Sequence, residues 1–121
     1  MSLSSKVPFS ASSAAYGEIS PIELARSQFS GRIVDVREPG EFYGELGHLA
    51  GAELVPLSTL PTQAARWNRD EPIVLVCRSG RRSGDAARLL AQRGFRHVFN
   101  FTGGMLAHNA AGLPTTRGGG N

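Results

Sequence analysis

A chain of 121 residues, 40% hydrophobic and 19% charged, has room for one domain with short tails and enough apolar content to close a core without disulfide or metal staples. Its single cysteine, Cys77, excludes an intrachain disulfide and any Cys-rich metal or cluster site within one chain. The longest apolar run, residues 73–77, is far short of the roughly 20 residues of a membrane helix. Net charge is +3 but uneven: residues 1–65 carry −3, residues 66–96 carry +5, and Arg117 adds +1. With one lysine and no Lys/Arg run interleaved with aromatics, this pattern does not predict a nucleic-acid partner. A small anionic substrate fits the charge better.

Residues 1–15 are Ser/Ala-rich with little periodicity and predict a flexible N-terminal arm. A flexible tail is expected over 115–121, leaving a domain over 16–114. The N-terminus has no apolar stretch of the secretory kind, so the expected location is cytoplasmic.

Inside the domain, short apolar strands alternate with amphipathic helices. Residues 16–20 predict a first strand. Ser20 as N-cap and Pro21 as first helical residue then open a helix over 21–28, punctuated by Gly31. A second strand is expected over 32–36, one helical turn at 40–44, and a short third strand over 52–57. From Ser58 to Asp70 the pattern fits a helix with Leu60, Ala64 and Trp67 on one face. Residues 72–77 read as a strand buried on both faces. In a helix over 83–94, Ala86, Leu89, Leu90 and Arg93 share a stripe, Asp85 lies in the first turn and Gly94 closes the element. A fifth strand over 97–101, a Gly-Gly turn and a short helix near 104–109 complete the series. This alternation implies an α/β fold, an open parallel sheet flanked by helices on both faces.

The segment with chemical content runs strand, cysteine, glycine-containing loop, helix. A loop that feeds a helix N-terminus at the carboxyl end of a parallel strand points several N–H groups at one spot, and Cys77 stands there. A thiol with an ordinary pKa of about 8.5 is lowered by such a terminus and by nearby cations, which Arg78, Arg81 and Arg82 supply. Gly80 permits the turn that makes the amides converge. The bland alternative is an inert buried cysteine ending a core strand.

Cysteine phosphatases place an arginine six positions after the nucleophile, where this chain has Ser83. The loop CRSGRR (77–82) instead resembles the active-site loop of the rhodaneses, the thiosulfate sulfurtransferases. The stretches SPIELA (20–25), DVREPGEF (35–42), GHLAGAELVPL (47–57) and NFTGGMLAHNAAGLP (100–114) agree with that family in its order, so the resemblance covers roughly residues 17–114. It implies a single-domain rhodanese-like fold of five parallel strands with flanking helices. It also implies ping-pong transfer of sulfane sulfur from thiosulfate or another persulfide donor through a Cys77 persulfide to a thiol, cyanide or a protein acceptor. The amides of residues 78–82, among them Ser79 and Gly80, would stabilise the persulfide. Arginines would hold the sulfonate, with Arg78 and Arg82 matching the family pattern best. No cofactor is implied, and oligomeric state is not addressed. A persulfide carrier or interaction module with little thiosulfate turnover is the alternative of a different class, and a phosphatase or arsenate-reducing relative is a third.

Asp35, Arg37 and Glu38 follow a strand expected beside that of Cys77, so they could rim the same cleft. For Arg37 and Glu38 an ion-pair and turn-capping network around Pro39 is the preferred reading. Asp35 resembles the family aspartate near the loop, orienting a backbone or arginine partner. Histidine is a residue type that can serve in acid–base chemistry near neutral pH, but the place of His48 in the resembling motif implies a structural hydrogen bond. His97 reads as a surface residue, Trp67 as core, and Met105 as core or pocket wall. His108 stands where many rhodaneses have Trp. Three scattered histidines without cysteine partners make no metal site.

Overall fold

The computed structural model describes residues 15–117. The expected N-terminal arm, apart from Ala15, and residues 118–121 of the expected tail lie outside them. The elements follow in chain order: β1 (Gly17–Ile19), α1 (Pro21–Arg26), β2 (Arg32–Asp35), α2 (Pro39–Phe42), β3 (Glu53–Leu54), α3 (Leu60–Ala64), β4 (Ile73–Val76), α4 (Arg81–Gln92), β5 (Val98–Phe101) and α5 (Gly104–Ala110). The strands form one five-stranded sheet in the order β1-β5-β4-β2-β3, with every pairing parallel. The expected α/β class and parallel sheet are therefore present.

Local chemistry explains the element ends. Ser20 accepts from Glu23 N at 3.1 Å while Glu23 Oε1 accepts from Ser20 N at 2.8 Å, a capping box that starts α1 as expected. The helix stops at Arg26, two residues short of expectation, because the Ser27 hydroxyl donates to Leu24 O at 2.8 Å and accepts from Phe29 N at 3.2 Å. The largest departure is the helix expected over 58–70. A 3₁₀ turn at Leu57–Thr59 leads into α3, which ends at Ala64. The Arg69 guanidinium bonds the carbonyls of Ala64 and Trp67 at 3.4 and 2.9 Å. Asn68 accepts from Asp70 N at 2.8 Å. Side chains thus take over the backbone groups that a longer helix would pair. Trp67, lying beyond α3, is half-buried against the core with the Arg32 guanidinium 4.2 Å above its ring.

β4 is the central strand, and its alternation divides the core. Ile73, Leu75 and Cys77 pack on one face with Leu60 and Ala64 of α3 and with Ala86, Ala87 and Leu90 of α4. Val74 and Val76 face the other way, toward Phe101, Met105 of α5 and Leu24 of α1. Helices therefore cover both faces. The chain runs outward from β2 to β3 on one side and from β4 to β5 on the other, so the switch in strand order lies between β2 and β4, the usual place for a ligand crevice at carboxyl ends.

At the carboxyl end of β2, Asp35 and Arg37 form a fully buried ion pair. Asp35 accepts from Arg37 Nε and Nη2 at 2.9 and 2.8 Å and from Arg37 N at 3.1 Å. Arg37 Nη2 also donates to Gly47 O at 2.7 Å, which ties the loop after α2 to the sheet. The compact unit extends past the expected boundary at 114: His48 and Thr116 exchange two backbone hydrogen bonds of 2.8 Å in an antiparallel bridge. The expected tail is thus docked at its first residues, because the 44–48 loop offers it a free backbone edge.

Truncating one partner of a buried pair leaves the other charge uncompensated. We expect Arg37→Ala to cost about 3–5 kcal/mol in urea unfolding, and more than the double replacement of Asp35 and Arg37 by leucine and methionine.

Candidate active site

β4 delivers Cys77 to the carboxyl edge of the sheet, beside the end of β2 in the register Asp35 to Val76. The chain then reverses within three residues. Gly80 is the N-cap of α4 with φ of 98°, a left-handed conformation that a side chain would strain. Because the turn is this tight, α4 begins at Arg81 rather than at Ser83, and Asp85 falls beyond its first turn.

The reversal aims donors at one atom. Cys77 Sγ accepts from Gly80 N at 3.1 Å, from Ser83 N at 3.3 Å and from the Ser83 hydroxyl at 3.3 Å. Burial is the largest single influence on the thiol and pushes its pKa up. The hydroxyl and amide of Ser83 with the amides of Gly80 and Ser79 together outweigh it, so the thiol lies below its ordinary value. The donors to the sulfur are amides and a hydroxyl, and Ser83 stands one place outside the stretch expected to supply them.

The loop is held from behind by α5. Met105 N donates to Cys77 O at 2.9 Å and Leu106 N to Arg78 O at 3.0 Å, so the first free amides of α5 satisfy the carbonyls of the loop. This approach leaves no room for a side chain at Gly104, where a Cβ would meet the backbone of Cys77 and Arg78 at 2.4 to 2.5 Å and where φ is +58°. Met105 is fully buried core. Asn100, the one polar residue of β5 in the buried class, reaches the same loop: Nδ2 donates to Gly80 O at 3.1 Å and Oδ1 accepts from the Ser83 hydroxyl at 2.5 Å.

The arginines divide. Arg82 donates bidentately to Glu41 on α2, with both bonds at 2.8 Å. The Arg82 guanidinium, more than its charge alone, holds the Glu41 carboxyl down at about 2. Arg82, expected to clamp substrate, is thus engaged as a latch between the loop and α2. Arg78 and Arg81 are exposed and have no ion-pair partner among the described residues. Arg78 lines a cleft of about 330 Å³ with Arg37, Glu41, Leu46 and Leu106. Ser79 is exposed.

The remaining expected residues form the surround. His48 is buried, stacked on Phe42 with centroids 3.7 Å apart, and its Nδ1 donates to Phe42 O at 2.8 Å. Glu38 caps the first turn of α2, its amide donating to Glu41 Oε1 at 3.1 Å. His97 is exposed. His108 is buried with Nε2 donating to Pro114 O at 2.8 Å, and it lines an apolar pocket with Phe101, Leu24 and Leu49. Glu41, Asn100 and the Gly103-Gly104 buttress escaped sequence reasoning as parts of the site. For Asn100 a signal existed, an amide inside an otherwise apolar strand; for Glu41 there was none.

Two outcomes check this geometry. Gly104→Ala combines a backbone clash with a left-handed φ, and we expect it to lower stability by about 2 kcal/mol or more in urea unfolding. The depressed Glu41 pKa sets a pH window. The contribution of the latch is full above the unfolded value of about 4.5, shrinks as pH falls, and is gone below about 2. Thermal melts of wild type and Glu41→Gln should therefore differ above pH 4.5 and converge toward pH 2.

The chain matches the family described as Rhodanese-like domain over residues 20–111. An uncharacterized protein of Synechocystis is 38% identical over 96 residues, covering 79% of this chain and 52% of that protein, so the chain spans about half of that relative's length. A thiosulfate sulfurtransferase GlpE of Pseudoalteromonas translucida is 33% identical over 79 residues, 65% of this chain and 73% of that protein. The crystal structure of a rhodanese-related protein from Thermoplasma volcanium superposes with a TM-score of 0.73 at 29% identity, covering 82% of this chain and 96% of that one. With a match that runs from the N-cap of α1 at Ser20 to the residue that closes α5 at Ala111, this chain belongs to the rhodanese-like domain family.

Proposed function

We propose that this chain is a sulfurtransferase that carries sulfane sulfur as a persulfide on Cys77, with thiosulfate as a donor. The observation that carries the reading is the convergence of the Gly80 and Ser83 amides and the Ser83 hydroxyl on Cys77 Sγ. Donors preorganised around a sulfur favour its anion, and a thiolate is the nucleophile that sulfur transfer needs.

The Cys77 thiolate attacks the outer sulfur of thiosulfate. The new bond joins Sγ to that sulfur, the sulfur–sulfur bond of the donor breaks, and its electron pair leaves with sulfite. The persulfide retains one negative charge on its outer sulfur. A thiol, cyanide or protein acceptor then takes that sulfur and returns Cys77 as thiolate. These 121 residues hold no second cysteine, so the persulfide is discharged to an external acceptor.

No general base is needed, since the donors around Sγ already favour the ionised thiol. In this reading Arg78, exposed at the cleft beside the loop, pairs with the sulfonate of the donor, and Arg81, without an ion-pair partner among the described residues, adds a second cation to the approach. Cys77 itself has no exposed surface, so the donor reaches the sulfur only after a local movement opens a path to it.

Incubation with thiosulfate should add one sulfur atom to the intact mass of the wild type and none to Cys77→Ser, and cyanide should remove it as thiocyanate. Absence of the adduct at saturating thiosulfate would overturn the proposed donor.

A further inference from the structure

The Ser83 hydroxyl has one hydrogen and faces two acceptors, Cys77 Sγ at 3.3 Å and Asn100 Oδ1 at 2.5 Å. Both Ser83 and Asn100 are buried, so the two acceptors compete within the packed interior. The Asn100 amide cannot turn over to offer its N–H₂ instead, because Nδ2 already donates to Gly80 O at 3.1 Å, and a flipped amide would set two carbonyl oxygens face to face. Asn100 thus presents a fixed acceptor that competes with the sulfur for a single hydrogen.

We propose that Ser83 and Asn100 form a two-position hydrogen switch that follows the charge on Cys77. In the thiol state S–H donates to Ser83 Oγ, whose own hydrogen goes to Asn100 Oδ1, and each of these three groups is paired. When the thiol loses its proton to solvent, the Ser83 hydrogen turns to the thiolate, and Asn100 Oδ1 is left facing an oxygen lone pair. Once sulfur is loaded, the charge moves to the outer sulfur and Sγ becomes a neutral divalent sulfur, a weak acceptor. The Ser83 hydrogen then returns to Asn100. Asn100 is a positioning residue in this scheme: it touches neither donor nor acceptor, and it acts by opposing ionisation at Sγ while favouring the loaded state. A less depressed thiol is also a stronger nucleophile per thiolate.

The first two states concern the free thiol alone, and the loaded state rests on the sulfurtransferase reading. The test therefore uses iodoacetamide, whose rate against pH reports ionisation of Cys77 and needs no sulfur donor. It can fail while thiosulfate still loads Cys77, and it can succeed if thiosulfate does not. Ser83→Ala should raise the apparent pKa of Cys77 by about one pH unit, with Ser83→Thr returning it. Asn100→Leu should lower it by about one unit, and Asn100→Asp, a stronger and charged acceptor, should raise it. In a Ser83→Ala background Asn100→Leu should have no effect, because the shared hydrogen is gone. Equal shifts from Asn100→Leu in both backgrounds, or an upward shift in the wild-type background, would show that Asn100 acts only by holding Gly80 and would overturn the switch. If Asn100→Leu does not fold, the smaller neutral Asn100→Ala with Ser83→Ala decides the matter in the same way: an Asn100→Ala effect that survives loss of the hydroxyl at full size overturns it.

Discussion

A sulfur stands at the end of a fully buried strand with hydrogen-bond donors converging on it, and the rest of the site is arranged around that constraint. β4 is buried along its whole length, which is why it can be the central strand and why Cys77 sits in an apolar layer with Leu60, Ala86 and Leu90. The same burial opposes ionisation. The fold meets the opposition with the Ser83 hydroxyl and backbone amides rather than with a cation. An α-helix that starts after a short loop leaves its first amides free, and Gly80 bends the chain so that amides of the loop and of the first turn face back onto the sulfur.

A loop of this shape needs support from two sides. Behind it, the N-terminus of α5 bonds the loop carbonyls, and Gly104 allows backbone to meet backbone. In front, Glu41 grips Arg82 and ties the loop to α2. α2 is in turn anchored by Phe42, which stacks on His48 and accepts its Nδ1 hydrogen, while Arg37 fixes the neighbouring Gly47 carbonyl. The buried Asp35–Arg37 pair is thus the far end of a mechanical chain that ends at the loop. Its role is positional, since replacing such a pair by apolar residues commonly costs little whereas breaking it costs much.

The charge distribution gains a finer meaning. The +5 over residues 66–96 looks like one basic patch in the sequence, but its arginines do different work. Arg69 caps the end of α3 and covers the Phe95 ring, Arg96 pairs with Asp70, and Arg82 is held by Glu41. Arg78 and Arg81 carry the exposed charge beside the thiol.

The sequence by itself determined the strand order along the chain, the parallel α/β class, and the placing of Cys77 at a strand end with a glycine-containing loop after it. Those are carried by local signals: apolar runs for strands, a Ser-Pro start for α1, and a cysteine between the most apolar and the most basic segments. Where side chains compete for backbone groups, local signals failed, as at Arg69 and Asn68, which cut the helix expected over 58–70 down to α3. Only the tertiary structure decided which arginines are paired, because the partner of Arg82 lies 41 residues away on an element of four residues. It alone set Asn100 against Ser83 across 17 residues, and Thr116 against His48. The physical reason is common to all three. Propensity and periodicity describe how a segment relates to its own neighbours, whereas the partner of a buried hydroxyl, a guanidinium or a backbone edge is chosen by whatever the packed sheet and helices bring beside it.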